Sequence, residues 1–169
     1  SWGCAKAVRM VLVLAAFWCA QAQSLTTEQA KALAVGDTAS RVNALLKVAA
    51  EPDDKLAGFL QALADDAVKT TPQGQVLLVR DGKTFDPATG AELALPADAE
   101  DVVNNNLMRA ELDKALASLK LLSPELKLRK EAVQALAGGM DEARLPLVEK
   151  ALAAETDAGL KAKLQLLRA

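Results

Sequence analysis

The sequence predicts a mainly α-helical protein, a helical repeat of the α-solenoid kind with a small β-hairpin or meander inserted. Three observations predict it. Hydrophobic residues make up 51% of the 169, yet only 3% are aromatic. The apolar content is therefore dominated by alanine and leucine, strong helix formers, and not by the residues that favour strands. The second observation is a recurring charge spacing: Asp37 with Arg41, Glu125 with Arg129, and Asp157 with Lys161. Each acid follows Gly36, Pro124 or Thr156, and Ala44, Ala132 or Leu164 lies seven residues beyond it. Glu125 and Asp157 are 32 residues apart, the length of a helix–turn–helix repeat. From Asp37 to Glu125 the spacing is 88, which predicts an insertion. The third observation is that helical spacing gives way to β-branched runs and turn residues between positions 75 and 95. A repeat that cannot bury its apolar face alone must stack on neighbours, which makes a scaffold and not an enclosed active site.

Residues 1–22 read as a signal peptide. Lys6 and Arg9 give a positive start, Met10–Ala20 is apolar throughout, and Ala20-Gln21-Ala22 has the small-x-small form of a cleavage site. The apolar run is too short for a bilayer, which needs ~20 residues. Cys4 and Cys19 both fall in this segment, so an exported chain from Gln23 would carry no cysteine and no disulfide. The opening on Ser1 reads as a fragment of a longer chain.

A helical pair is expected over 27–68. Thr27 caps a first helix with Ala30, Leu33 and Ala34 on one stripe, and Gly36 ends it. Asp37 caps a second with Val42, Leu45 and Val48 inward. Pro52-Asp53-Asp54 breaks the chain before Leu56, Phe59, Leu60 and Leu63, spaced i, i+3, i+4 and i+7. A β-hairpin insertion follows over 75–95. Gln75–Arg80 and Lys83-Thr84-Phe85 flank Asp81-Gly82, the preferred type I′ turn, and Ala91–Leu95 returns as a third strand after Asp86–Gly90. So small an element must pack on the helices. Phe85 and either Val76 and Leu78 or Leu77 and Val79 are expected to be buried.

Helices are expected again over 98–169, starting at Asp98 and Asp101. Asn104-Asn105-Asn106 interrupts that start before a long amphipathic helix to about Leu122 with Leu112, Leu116 and Leu119 buried. Ser123-Pro124 opens the next, with Leu128, Ala132, Val133 and Leu136 inward, and Gly138-Gly139 closes it. Leu145, Val148 and Leu152 mark its partner. Thr156-Asp157 starts a last helix whose Leu160, Leu164 and Leu167 would lack a covering neighbour. On that ground the native polypeptide is expected to continue past Ala169.

Chemistry has little to work with. The chain has no histidine and no tyrosine, no nucleophile elbow and no phosphate-cradling glycine loop. The reading is a non-enzyme with no cofactor and no metal. Asp98, Glu100 and Asp101 lack the glycine-centred loop of a calcium site and read as helix caps. The acid–base pairs read as helix N-terminal acids bonded to the base four residues on. A net charge of −2 argues against nucleic acid and anionic membrane surfaces as partners. The most unusual polar run is Asn104-Asn105-Asn106. It either contacts a partner or caps the helix that begins near Leu107.

Several stretches together resemble a known family. They are GDTASRVNALL (36–46), VLLVRDGKTFDPATG (76–90), LPADAEDVVNNN (95–106), SPELKLRKEAVQAL (123–136) and LPLVEKALAAETD (145–157). The chain is similar, over essentially its whole length, to the exported N-terminal extension of the permease subunit of bacterial urea ABC transporters, of the branched-chain amino acid permease class. The DGKTFDPATG and DAEDVVNNN stretches are the most specific; the helical units alone are shared by many HEAT-like repeat proteins. The resemblance implies a periplasmic domain, on the outer side of the inner membrane, accessory to urea transport. Its implied partners are the transporter's membrane domain in the same polypeptide, a companion permease subunit, ATP-binding subunits and a periplasmic urea-binding protein. No ~20-residue apolar run follows residue 22, so no transport residue carries over to a position here. The competing reading is a free-standing periplasmic helical-repeat scaffold that binds a protein partner.

Overall fold

Among the described residues three helices come first, where the apolar spacing asked for them. The computed structural model describes residues 25–50 and 53–169, so the signal peptide expected over 1–22 and the break at Pro52 lie outside the described residues. Helix α1 (Thr27–Ala34) is closed at its start by a capping box in which Thr26, not Thr27, is the N-cap. Asp37 caps α2 (Thr38–Ala49) and Asp53 caps α3 (Asp54–Ala64), each accepting a backbone N–H three residues on. Helix α3 ends in a Schellman turn: Ala67 N–H donates to Ala62 and Asp66 N–H to Leu63, with Asp66 in the left-handed region at φ 56°.

That turn delivers the chain into a five-stranded antiparallel sheet larger than the expected hairpin. Its strands are β1 (Val68–Thr70), β2 (Val76–Arg80), β3 (Lys83–Phe85), β4 (Glu92–Leu93) and β5 (Glu100–Asp101), in the order β4-β3-β2-β1-β5. The type I′ turn stands as expected, with φ 50° at Asp81 and 73° at Gly82. Two expected boundaries change. The first helical segment ends at Ala64 and Val68 already belongs to the sheet, so 27–68 is three helices and the start of β1. Asp98–Asp101 opens no helix; Glu100 and Asp101 pair with Thr70 and Lys69, and a 2.8 Å Lys69–Asp101 ion pair closes that edge. The edge strands β4 and β5 are two residues each, short enough to discourage pairing with another chain. Because β2 is central, Val76, Leu77 and Leu78 are all buried, where only alternate positions were expected.

Helices resume at α4 (Asn106–Leu119), followed by a 3₁₀ turn to Leu122, α5 (Leu126–Ala137), α6 (Leu145–Ala154) and α7 (Ala158–Arg168). Ser123-Pro124 precedes α5, and Glu125 holds its N-cap position without a side-chain cap. Two apolar clusters result. One joins α1–α4 to the inner face of the sheet, with Leu33, Leu45, Phe59, Leu60 and Met108 at its centre. The other joins α5–α7, with Leu136, Val148 and Leu164. Leu160 and Leu164 of α7 are buried and Leu167 packs on the same cluster. The expectation of an uncovered last helix is thus corrected, and the argument for continuation that rested on it falls.

The recurring acid–base spacing has a different meaning from the one expected. Neither arginine bonds the acid four residues before it. Arg41 Nε donates to the Leu33 carbonyl at the end of α1, Nη1 to Val103, and Nη2 to the Asn104 Oδ1 just before α4. Arg129, at the same fourth position of its helix, donates to the carbonyls of Ser123 and Pro124 and to both carboxylate oxygens of Glu155, just before α7. Arg41 therefore ties the end of α1, and Arg129 the chain entering α5, to the chain entering a later helix packed beside its own, α2 with α4 and α5 with α7. A planar fork with five donors can face several acceptors at once, which a flexible ion pair along one helix cannot. Lys161 is exposed and forms no such tie among the described residues.

Glu155 and Glu111 give this region a pH dependence. Burial raises the pKa of each, but hydrogen bonds outweigh it and hold both below the usual glutamate value. The bonds come from Arg129 and the N–H groups of Asp157 and Thr156 for Glu155, and from Arg144 and Lys114 for Glu111. A depressed carboxyl pKa adds stability that is fully present above the unfolded-state value. It is lost as pH falls through the lower folded value. The denaturant midpoint should thus hold from pH 8 to 6 and drop below about pH 4.5. Glu155→Gln should show a lower midpoint at pH 7 and a shallower acid drop. Parallel curves for the two proteins would refute the assignment.

Candidate functional site: a groove between a helix and a hairpin

A groove of 660 Å³ runs between the first half of α3 and the β2–β3 hairpin. Sequence chemistry builds each wall. Along β2 and β3 the face turned to α3 alternates with period two, which pairs Leu78 with Phe85 and Arg80 with Lys83 across the strands. Leu78 and Phe85 join Phe59 of α3 to form the apolar floor. Phe59 is 2% exposed, whereas Phe85 is only half-buried, the remainder of its ring lining the groove. The expected burial of Phe85 is thus partial.

The far rim is the Asp86–Gly90 turn, made rigid by its own hydrogen bonds. Asp86 Oδ1 accepts the N–H groups of Ala88 and Thr89 at 2.8 and 2.9 Å, and backbone bonds join Asp86 to Gly90 and Ala91. Lys55 Nζ donates to the Ala88 carbonyl at 3.0 Å and fastens the rim to α3. Loops held on a rigid scaffold commonly carry binding residues.

Gly58 lies mid-helix on α3, where an alanine would favour the helix more. A Cβ there would sit 3.6 Å from Arg80 Nη2, an ordinary contact. The bare helix surface is therefore where the Arg80 guanidinium lies. Gly58→Ala should raise the unfolding free energy by about 0.5–1 kcal/mol and the melting temperature by about 2–4 °C per kcal/mol. A drop in melting temperature would mean that the methyl group and the Arg80 guanidinium do not fit side by side as the 3.6 Å spacing predicts.

No protein-family profile, curated protein or solved structure matches the chain. The site is therefore read from its own geometry.

A second concavity of 460 Å³ flanks the other side of α3, with Ala57, Leu116, Leu119 and Leu128 in its wall. Asp54 borders both. Among the described residues no group of three or more histidine, cysteine, aspartate or glutamate side chains converges to hold a metal ion, and no helix is long and apolar enough to cross a membrane. The Asn104–Asn106 run divides its roles. Asn104 is 5% exposed, accepting from Arg41 at 2.5 Å and donating to the Leu63 carbonyl at 2.9 Å. Asn105 caps α4 through Met108 N–H and donates to Thr38 Oγ1, so the helix starts at Asn106, one residue before the expected Leu107. Asn106 alone of the three presents an exposed side chain without a hydrogen bond among the described residues. Exposed Val103 and Leu107 flank the run. The groove itself was not singled out from the sequence, although its hairpin wall was. Its signal was the period-two pairing of Leu78 with Phe85 next to two cations at a known turn.

Proposed function

We propose that this chain is a docking domain and not an enzyme, and that it is the N-terminal periplasmic domain of a urea ABC transporter permease subunit, accessory to urea uptake across the inner membrane. The observation that carries the docking reading is the groove, because its hairpin wall and rim are formed by the Val76–Gly90 stretch, which contains DGKTFDPATG (81–90), one of the two stretches on which the resemblance to that permease class is most specific. The HEAT-like solenoid belongs to this proposal too. It is supported by α5 packing on α7, 32 residues on, and by Arg41 and Arg129 clamping the entry to a later helix from the same helical position. The occupants in view are the companion permease and ATP-binding subunits' membrane assembly and the periplasmic urea-binding protein, with the signal peptide directing export and Asn106 as a second contact point.

The test is radiolabelled urea uptake in cells expressing the transporter with this domain intact or removed, with inner-membrane levels of the permease measured in both. Uptake should fall when the domain is removed while the membrane part remains present. Undiminished uptake would overturn the transporter reading in favour of a free-standing periplasmic scaffold.

A further inference from the structure

We propose that the groove between α3 and the hairpin receives a short segment of a partner protein in which a carboxylate side chain neighbours a large apolar one. Arg80 and Lys83 take the carboxylate and Phe85 takes the apolar group. The inference rests on the docking reading but not on the identity of the transporter.

The leading observation is a pair of like charges. Arg80 and Lys83 are directly opposite on neighbouring strands, on the groove side of the sheet. Like charges so placed repel each other, and neither nitrogen group has an ion-pair partner within 4.0 Å among the described residues. The cations at Arg41, Arg129 and Arg144, by contrast, are each held by several acceptors. An opposed cation pair left open at the mouth of a groove fits an incoming anion, which would relieve the repulsion and supply the missing acceptor.

The second observation is what adjoins the cations. One residue pair further along the same face lie Leu78 and Phe85, with part of the Phe85 ring uncovered beside buried Phe59. A ligand that reaches the cations therefore lies over an aromatic floor. The spacing suits alternate side chains of an extended peptide, two residues apart on one side.

The acids at the rim decide how much negative charge fits. The Asp86 carboxylate is engaged by its own turn, Asp54 lies in the first turn of α3, where the helix N-terminus favours it, and Asp81 occupies the hairpin turn. These three acids equal in number the cations Lys55, Arg80 and Lys83 that line the groove, so it accepts one or two carboxylates on an apolar segment at Arg80 and Lys83 and does not favour a polyanion. Both edge strands are too short to add a peptide strand, so recognition falls to the side chains.

The experiment is a titration of the ¹⁵N-labelled protein followed by amide chemical shifts. One probe is acetyl-Ser-Glu-Ser-Phe-Ser-Glu-Ser-amide, whose glutamates and phenylalanine share one side when extended; the other has glutamine in place of both glutamates. The acidic peptide should move the amides of Gly82, Lys83, Phe85 and Gly90. Its half-saturation should come at a concentration about tenfold lower than that of the glutamine peptide, the worth of one charge-assisted hydrogen bond. Added salt should narrow that gap. The Arg80→Gln, Lys83→Gln double variant should lose the same factor of about ten while its other amides keep their positions. Equal responses to both peptides would overturn the proposal, as would shifts confined to other surfaces or no shift with either peptide at millimolar concentration. A silent titration together with lost uptake on domain removal keeps the transporter and discards the groove. Saturable binding with undiminished uptake does the reverse.

Discussion

Replacing Phe59 with alanine should lower the unfolding free energy by about 3–5 kcal/mol, whereas Phe85→Ala should cost roughly half as much. The two residues are the only aromatic side chains after residue 22, and both belong to the cluster that joins the sheet to the helices. Phe59 is 2% exposed between α3 and the sheet, so its removal leaves a cavity that neither element can close without moving. Phe85 is half-buried, so much of the space vacated by its ring opens to the groove and refills with water. The cavity component of the cost then largely vanishes and the transfer component remains. Chemical denaturation of both variants checks this. Equal losses would mean that Phe85 is the deeper anchor and that the groove floor is closed in solution. The same pair separates stability from binding: Phe85→Ala should weaken the acidic peptide with most of the fold intact.

How much was legible in the sequence follows from how local each signal is. The helices were readable because Leu56, Phe59, Leu60 and Leu63 fall on one stripe, and all four are buried. The hairpin turn was readable because Asp-Gly meets a backbone requirement that few other pairs meet. Strand β1 was not, since Val68-Lys69-Thr70 is three residues long and joins the sheet only because Asp66 turns the chain back at the end of α3. Strand β5 read as a helix start because Asp98 and Asp101 are good caps. Pairing with β1 overrides that preference. The acid–base spacing was the most misleading signal. It is a true mark of a repeated position, but Arg41 finds its partners at residues 33, 103 and 104, and no local pattern announces a contact across more than sixty residues. The asparagine run stands out in the sequence as a polar stretch. Two of its three members owe that to the fold's own hydrogen bonds.

Arg41→Ala should be among the most damaging single changes outside the apolar core, at about 3–5 kcal/mol. The side chain is 5% exposed and its guanidinium, whose pKa burial lowers, has no carboxylate partner among the described residues. It is satisfied by three neutral oxygens: the Leu33 carbonyl at 2.8 Å, the Val103 carbonyl at 2.9 Å and Asn104 Oδ1 at 2.5 Å. Removing it leaves those acceptors in a site with little access to water, at about 1–3 kcal/mol for each buried group left unsatisfied. Val103, with its side chain exposed, can rehydrate its carbonyl; Leu33 and Asn104 are buried and cannot do so as readily. Arg41→Lys should recover only a small part of the loss, because a single ammonium cannot face acceptors on three different segments as the planar fork does. Asn104→Ala should be costly too, since it takes an acceptor from the buried Arg41 guanidinium and one of the donors from the Leu63 carbonyl. The double variant should cost less than the sum of the two, by 0.5 kcal/mol or more, as expected for partners in one network. Simple additivity in a denaturation cycle would show that Arg41 and Asn104 act separately. The joint between α1, α2 and the entry to α4 would then rest on the Arg41 bonds to Leu33 and Val103 and on the Asn105–Thr38 bond, without a contribution from the Arg41–Asn104 pair.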